Sequence, residues 1–253
     1  MRRDPFARVS ALVTLIVVSS VLTALLVASN AQAISGDKAN QAARALVTPN
    51  LIRAEIVTAN GAKVNDYRVY RGTVKRIKGR LLVLAERDRT TVQIKLSPAT
   101  QIMLDGRKIP ATSLRKGMRA TAMRKGSASA SWVYVVKKLA DKSGGAIKSL
   151  MSSSFVRAEL VSQVGGALLD SRVDSGVIES VDSASLTLSE KDGTVVQMPL
   201  DSTTQVQVDN VVTDVTGLAA GMRATTIRSG DGPVGQIWAS GTKSGQGQGS
   251  GKK

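Results

Sequence analysis

The chain has 253 residues, with 35 Lys/Arg against 19 Asp/Glu, a formal charge of +16, and neither Cys nor His. Without Cys there is no disulfide framework, thiolate nucleophile or Cys-based zinc site; without His the commonest general base and metal ligand are gone. Aromatics make up 3% of the residues, so small β-rich units with aliphatic cores are expected.

Residues 1–33 read as a targeting segment. Arg2, Arg3 and Arg8 precede an uncharged apolar run, Val9 to Ala28, and Ala31-Gln32-Ala33 follows as a small-x-small cleavage site. The run is also long enough to span a bilayer. It is therefore either a cleaved signal peptide or a retained membrane anchor, and both readings make the protein exported, secreted or held at the cell envelope. Arginines before the run favour an N-in, C-out orientation. Residues 34–50, polar and Ala-rich, form a linker or one short helix before Pro49.

Strand signals then follow in series. Arg53 to Ala59 alternates and ends at Asn60-Gly61, a hairpin dipeptide. Tyr67 to Ile77 is a long strand whose apolar phase slips around Gly72, which marks a bulge or sharp bend. Leu81 to Ala85 and Thr91 to Leu96 flank a turn at Glu86 to Arg89. Gln101 to Leu104 ends at Asp105-Gly106, Met118 to Met123 follows the Lys116-Gly117 turn, and Trp132 to Val136 comes last. Six or seven short strands with regular turns predict an all-β unit, a small closed barrel or compact sandwich; the bent long strand followed by a hairpin resembles the oligonucleotide/oligosaccharide-binding barrel.

The pattern then starts again. Leu51 aligned with Phe155 at a constant offset of 104 gives 29 identities in 76 gapless pairs through Gly126/Gly230. Gly117-Met118-Arg119-Ala120-Thr121 returns unchanged as Gly221-Met222-Arg223-Ala224-Thr225. The expectation is two tandem domains, 51–138 and 155–241, each with its own core. Residues 139–154 would link them, and the Gly/Ser/Gln/Lys stretch 242–253 would be a disordered tail.

Gly72-Thr73-Val74, Leu81 to Leu84, Thr100-Gln101-Ile102 and Leu114 to Ala120 carry a resemblance, repeated at Gly176-Val177-Ile178, Leu186-Thr187-Leu188, Thr204-Gln205-Val206 and Leu218 to Ala224. The pattern is similar to the bacterial exported β domain catalogued as domain of unknown function 5666. Ala120 and Ala224 stand where that family more often has Val. The resemblance implies an exported barrel and brings no catalytic residues.

Candidate chemistry is sparse. The repeated acids Glu55/Glu159 and Asp88/Asp192 have no nucleophile, base or cofactor loop beside them. The expected roles are a surface ion pair between Glu55 and Arg53 and a turn shaped by Asp88. No P-loop and no calcium loop is present, so no cofactor, metal or catalytic residue is expected.

Charge is the strongest functional signal. Residues 51–138 hold 20 Lys/Arg against 5 Asp/Glu, a net +15; residues 155–241 hold 5 against 11, a net −6. Fold cannot demand a charge that the twin lacks. Arg68, Arg71, Lys75, Arg76, Lys78 and Arg80 crowd the long strand; Arg107, Lys108, Arg115, Lys116, Arg124 and Lys125 crowd the later turns. Tyr67, Tyr70, Trp132 and Tyr134 lie among them as candidate aromatic contacts. The expected function is non-enzymatic: copy one contacts an anionic envelope polymer or lipid head groups, and copy two is a spacer or docking surface. Contact between the opposite-charge copies, single-stranded nucleic-acid binding, and a hydrolase with an unrecognised carboxylate site are the alternatives.

Overall fold

The computed structural model describes residues 38–136, 143–152 and 154–241. The expected targeting segment and the tail lie outside them. Among the described residues no helix is long and apolar enough to cross a membrane.

The protein is mostly β. Helix α1 (Lys38–Ala45) leads into eight strands: β1 (Leu51–Asn60), β2 (Lys63–Lys78), β3 (Leu81–Glu86), β4 (Thr91–Lys95), β5 (Gln101–Leu104), β6 (Arg107–Lys108), β7 (Arg119–Lys125) and β8 (Ala130–Val136). Helix α2 (Ser143–Leu150) leads into eight more: β9 (Phe155–Val164), β10 (Ala167–Val181), β11 (Ser185–Glu190), β12 (Val195–Pro199), β13 (Gln205–Val208), β14 (Val211–Thr213), β15 (Arg223–Ser229) and β16 (Val234–Ser240). The short strands β6 and β14 have no apolar alternation of their own; the positive-φ pairs Asp105-Gly106 and Asp209-Asn210 turn the chain back to form them.

The expected closure does not occur. All sixteen strands belong to one open sheet, ordered β14-β13-β16-β15-β10-β9-β1-β2-β7-β8-β5-β6, with β3-β4 branching from β2 and β11-β12 from β10. The halves join through β1 and β9, antiparallel, with Glu55 opposite Glu159. Arg53 faces Val161, and Arg157 faces Val57, so exchanging the halves maps the seam onto itself. The seam thus has the local two-fold geometry of a symmetric dimer interface, built within one chain.

Residue 72 in β2 has a direct steric reason to be glycine. Gly72 pairs with Glu86 of β3 and Ala120 of β7 at once. A Cβ there would sit 2.4 Å from the Ala85 carbonyl oxygen, and at Gly176 one would sit 2.5 Å from that of Ser189. The bulge expected at Gly72 falls instead between Val74 and Arg76. Gly72 is the close approach, and Lys75 is the extra residue.

Each half has its own core where the branch folds over the main sheet. Val74, Leu82, Leu84, Ile94, Ile102, Val133 and Val135 fill the first half; Ile178, Leu186, Leu188, Met198, Val206 and Ile237 fill the second. A third core revises the expectation of two self-contained domains. It spans the seam, with Ala54, Ile56, Val69, Ala158, Leu160 and Val173 from the sheet beneath Ala43, Leu46, Ile147 and Met151 from the helical segments. Leu51, Ile56, Ile147, Met151 and Leu160 in it are fully buried. At roughly 2 kcal/mol each, that is about 10 kcal/mol, comparable to the whole stability of a domain.

The described parts of the segments expected as linkers, 38–50 and 143–152, therefore pack into the fold, and they are exchanged. Helix α1, which precedes the first half, packs on β15 and β16 of the second. Helix α2, which precedes the second half, starts over the first, where the Ser143 hydroxyl donates to Thr121 Oγ1 at 3.2 Å. Arg44 Nε of α1 donates to the Met151 carbonyl at 2.8 Å and ties the two segments together.

Candidate anion-binding groove

The repeated turn Arg115 to Arg119 is strapped to β2. Gly117 adopts φ +89, a left-handed geometry that a side chain would strain. Its N–H donates to the Val74 carbonyl at 2.9 Å, and Val74 N–H donates to Met118 O at 2.8 Å. Beside this strap, β2, the start of α2 and the segment before β1 enclose a cavity of about 590 Å³. Arg71, Arg87, Arg119 and Lys148 line it, with Thr73 and Thr121 between them. A second cavity shares Arg119 and Val136 and continues past Arg115 and Lys116. The two cavities adjoin at these shared residues, and six cationic residues line the pair, the candidate groove.

The cations differ in freedom. Arg71 bolts the wall together: it donates to Thr48 O at 2.9 Å, Ser143 Oγ at 3.1 Å and Thr121 Oγ1 at 3.2 Å. Arg115 folds back onto the carbonyls of Thr112 and Leu114. Arg87 donates to Asn50 Oδ1 at 3.3 Å. Arg119 and Lys116 are exposed, and Lys148 is half-buried.

Glu86 is the acid in the described wall, and its carboxylate does not open onto the groove. Its side chain is 1% exposed and accepts from Arg53 Nη1 at 2.7 Å, as does Asp88 at 2.7 Å. Burial raises the Glu86 carboxyl above its ordinary range, against the pull of Arg53. Burial also works against Asp88, but the Thr90 N–H and Arg53 outweigh it and hold that carboxyl low. The second half repeats the cluster as Arg157, Glu190 and Asp192. There burial pushes Glu190 up to about 7, opposed by Arg157 and reinforced by Asp174 and Asp192.

These clusters correct the expected Arg53–Glu55 pair. Arg53 reaches across to β3 and its turn, and Glu55 pairs with Arg68 at 3.4 Å. Asp88 does shape its turn, accepting from Thr90 N–H at 3.0 Å.

The expected basic stripe along β2 is divided by the two-residue alternation of a strand. Arg68 lies on the face away from the helices, neutralised by Glu55 and by Asp66 at 3.1 Å. Arg71 lies on the helix face. Arg124 donates to Tyr70 Oη at 2.9 Å and stacks 5.2 Å from its ring centre. Lys125 pairs in register with Tyr67 at the far end of β7. Lys75 and Arg76 are exposed just beyond the strap, Lys78 and Arg80 flank the Gly79 turn, and Arg107 and Lys108 form the edge strand β6. Of the twelve expected basic residues, Arg71, Arg115 and Lys116 line the groove.

The aromatic residues are half-buried. Tyr67 and Trp132 pack on the central core and Tyr70 on the first half's core, while Tyr134 is half-buried on β8. Sequence reasoning noted Arg119 within the repeated Gly117-to-Thr121 turn but left it outside the candidate set. It missed Arg87 and Lys148 as groove residues; Lys148 sits in a segment read as a linker, and no local signal points to it.

No protein-family model, curated protein or solved structure matches the chain, so the resemblance noted above rests on its motifs alone.

Proposed function

We propose that this protein is an exported, non-enzymatic binding module of the cell envelope, whose basic half takes a segment of an anionic polymer into the groove. One observation carries the reading: six cationic residues line the two adjoining cavities, and the one acid in that lining, Glu86, has a buried side chain bound to Arg53. The twin positions of Arg71, Arg115 and Lys116 are Ser175, Ala219 and Ala220, so the fold does not require those charges. A concave groove suits a polymer segment better than a flat bilayer. The leader-like residues 1–33 and the exported-domain motifs support the location. The carboxylates of Glu86, Asp88, Glu190 and Asp192 are at most 6% exposed and bound to arginines, which favours bracing over catalysis.

The test is binding of the full chain to polyphosphate, to a polyuronate and to anionic-lipid vesicles across a salt series. Affinity for the polymers should fall steeply with salt. A triple variant, Lys116→Ser, Arg119→Ser and Lys148→Ser, removes about 1 kcal/mol per cation, so about 100-fold at low salt. Unchanged polymer affinity in that variant rejects the groove. Stronger binding to vesicles than to either polymer transfers the reading to a membrane surface.

A further inference from the structure

The main path of the sheet has two ends, and they are not alike; the branches add the edges β4 and β12. The strand order begins at β14 and finishes at β6. Each of these strands pairs on one side only, β14 with β13 and β6 with β5, so each presents an outer row of backbone donors and acceptors. Natural proteins blunt such edges with charge. At β6 that device is present, as exposed Arg107 and Lys108. At β14 the same positions are Val211 and Val212, 67% and 76% exposed. Exposed Asp209 and Asp214 flank the valines. The backbone is the same hairpin in both halves, so the difference belongs to the surface rather than the fold.

The halves join through β1 and β9, where like charges, Glu55 and Glu159, face each other. The +15 and −6 halves therefore carry β6 and β14 at opposite ends of the main strand path. We propose that copies of this chain associate head to tail, the β14 edge of one copy adding to the β6 edge of the next. The aliphatic stems of Arg107 and Lys108 would cover Val211 and Val212 while their charges reach the flanking aspartates. Joining β6 to β6 crowds like cations, and joining β14 to β14 crowds like acids. Only the unlike pairing gains from both terms. Such a contact is heterologous, so it does not close and each added copy offers a fresh edge. With strands this short the contact is small, and the association is weak and salt-sensitive.

The absence of native Cys makes the test direct. Full-length chains carrying Lys108→Cys or Val212→Cys are treated with a short bis-maleimide, alone and mixed. The mixture should give a cross-linked dimer that high salt suppresses, each variant alone should stay monomeric, and the double variant should give a ladder. Both positions are exposed, and circular dichroism checks that the fold is kept. Cross-linking of Val212→Cys alone indicates a symmetric edge dimer and overturns the proposal. So does a mixture that gives no product, or equal product when Asn60→Cys at a hairpin tip replaces Lys108→Cys.

Discussion

At one equivalent point the two halves answer the same demand with different chemistry. Arg124 and Arg228 occupy matching places on β7 and β15. In the basic half the guanidinium meets the hydroxyl and ring of Tyr70. In the acidic half the twin of Tyr70 is Asp174, 5% exposed, with Arg228 Nε 3.4 Å from its carboxylate. Burial raises the Asp174 carboxyl, opposed by Arg228. Tyr70 satisfies its arginine without adding negative charge, so the basic half keeps a high positive potential. Asp174 satisfies its arginine with a charge, and that charge then bears on Glu190 next door. The lesson is that one scaffold tolerates opposite surfaces because each buried arginine finds a local partner.

The comparison is broken most severely where both halves need the same glycine. Gly72→Ala and Gly176→Ala each drive a Cβ into a backbone carbonyl, which cannot rotate away as a side chain would. Each should cost about 3 kcal/mol or more, read as a fall in the denaturation midpoint. Loss in one half alone would mean that the bends are not equivalent.

Removing the half-buried arginine that holds the buried acids comes next and should separate the halves. Arg157→Leu strands Glu190 and Asp192 close to Asp174, whereas Arg53→Leu strands Glu86 and Asp88 beside neutral Tyr70. Breaking a buried pair costs about 3 kcal/mol at neutral pH, and the Arg157 variant should be the less stable of the two. Its deficit should shrink in acid, where Glu190 protonates. Equal deficits at every pH would remove Asp174 from the account.

The pH dependence follows from the raised Glu190 carboxyl, near 7 against an ordinary 4.5. Between those values the folded state holds this proton and the unfolded state releases it. The stabilisation is complete below the ordinary value and is lost as pH rises through the folded one. Asp182, Asp192, Asp201 and Asp214 are held low and act oppositely, losing stability only as pH falls through the acid range. Denaturation of Glu190→Gln, which mimics the protonated acid, should show a flatter profile between about pH 5 and 7. A profile identical to the parent chain would reject the assignment.

The smallest effect sharpens the comparison at its origin. Tyr70→Phe keeps the ring over Arg124 and removes the hydroxyl, at a cost of about 1 kcal/mol. A larger loss would show that the hydroxyl, rather than the ring, satisfies the guanidinium.

Particular elements show what could be read in advance. The Asn60-Gly61 hairpin and the long strand through Gly72 are local signals, and both reappear in the element bounds. The groove was legible only in part. Lys116 and Arg115 stood out as a basic turn, but Lys148 reaches the site from a helix exchanged between halves, a pairing no local pattern encodes. Arg68 was misjudged for a related reason: its neutralising Glu55 lies on a neighbouring strand, 13 residues away.

The amino-acid sequence alone determined the strand-and-turn rhythm, the doubling of the pattern and the opposite charges of its two halves. These follow from short-range backbone preferences and from composition. Tertiary structure decided that the sheet stays open, that β1 and β9 fuse the halves around a third core, and which cations share a groove. Those outcomes depend on which edges and faces meet across the chain, and the free energy of that meeting is a property of the assembled surfaces rather than of any one segment.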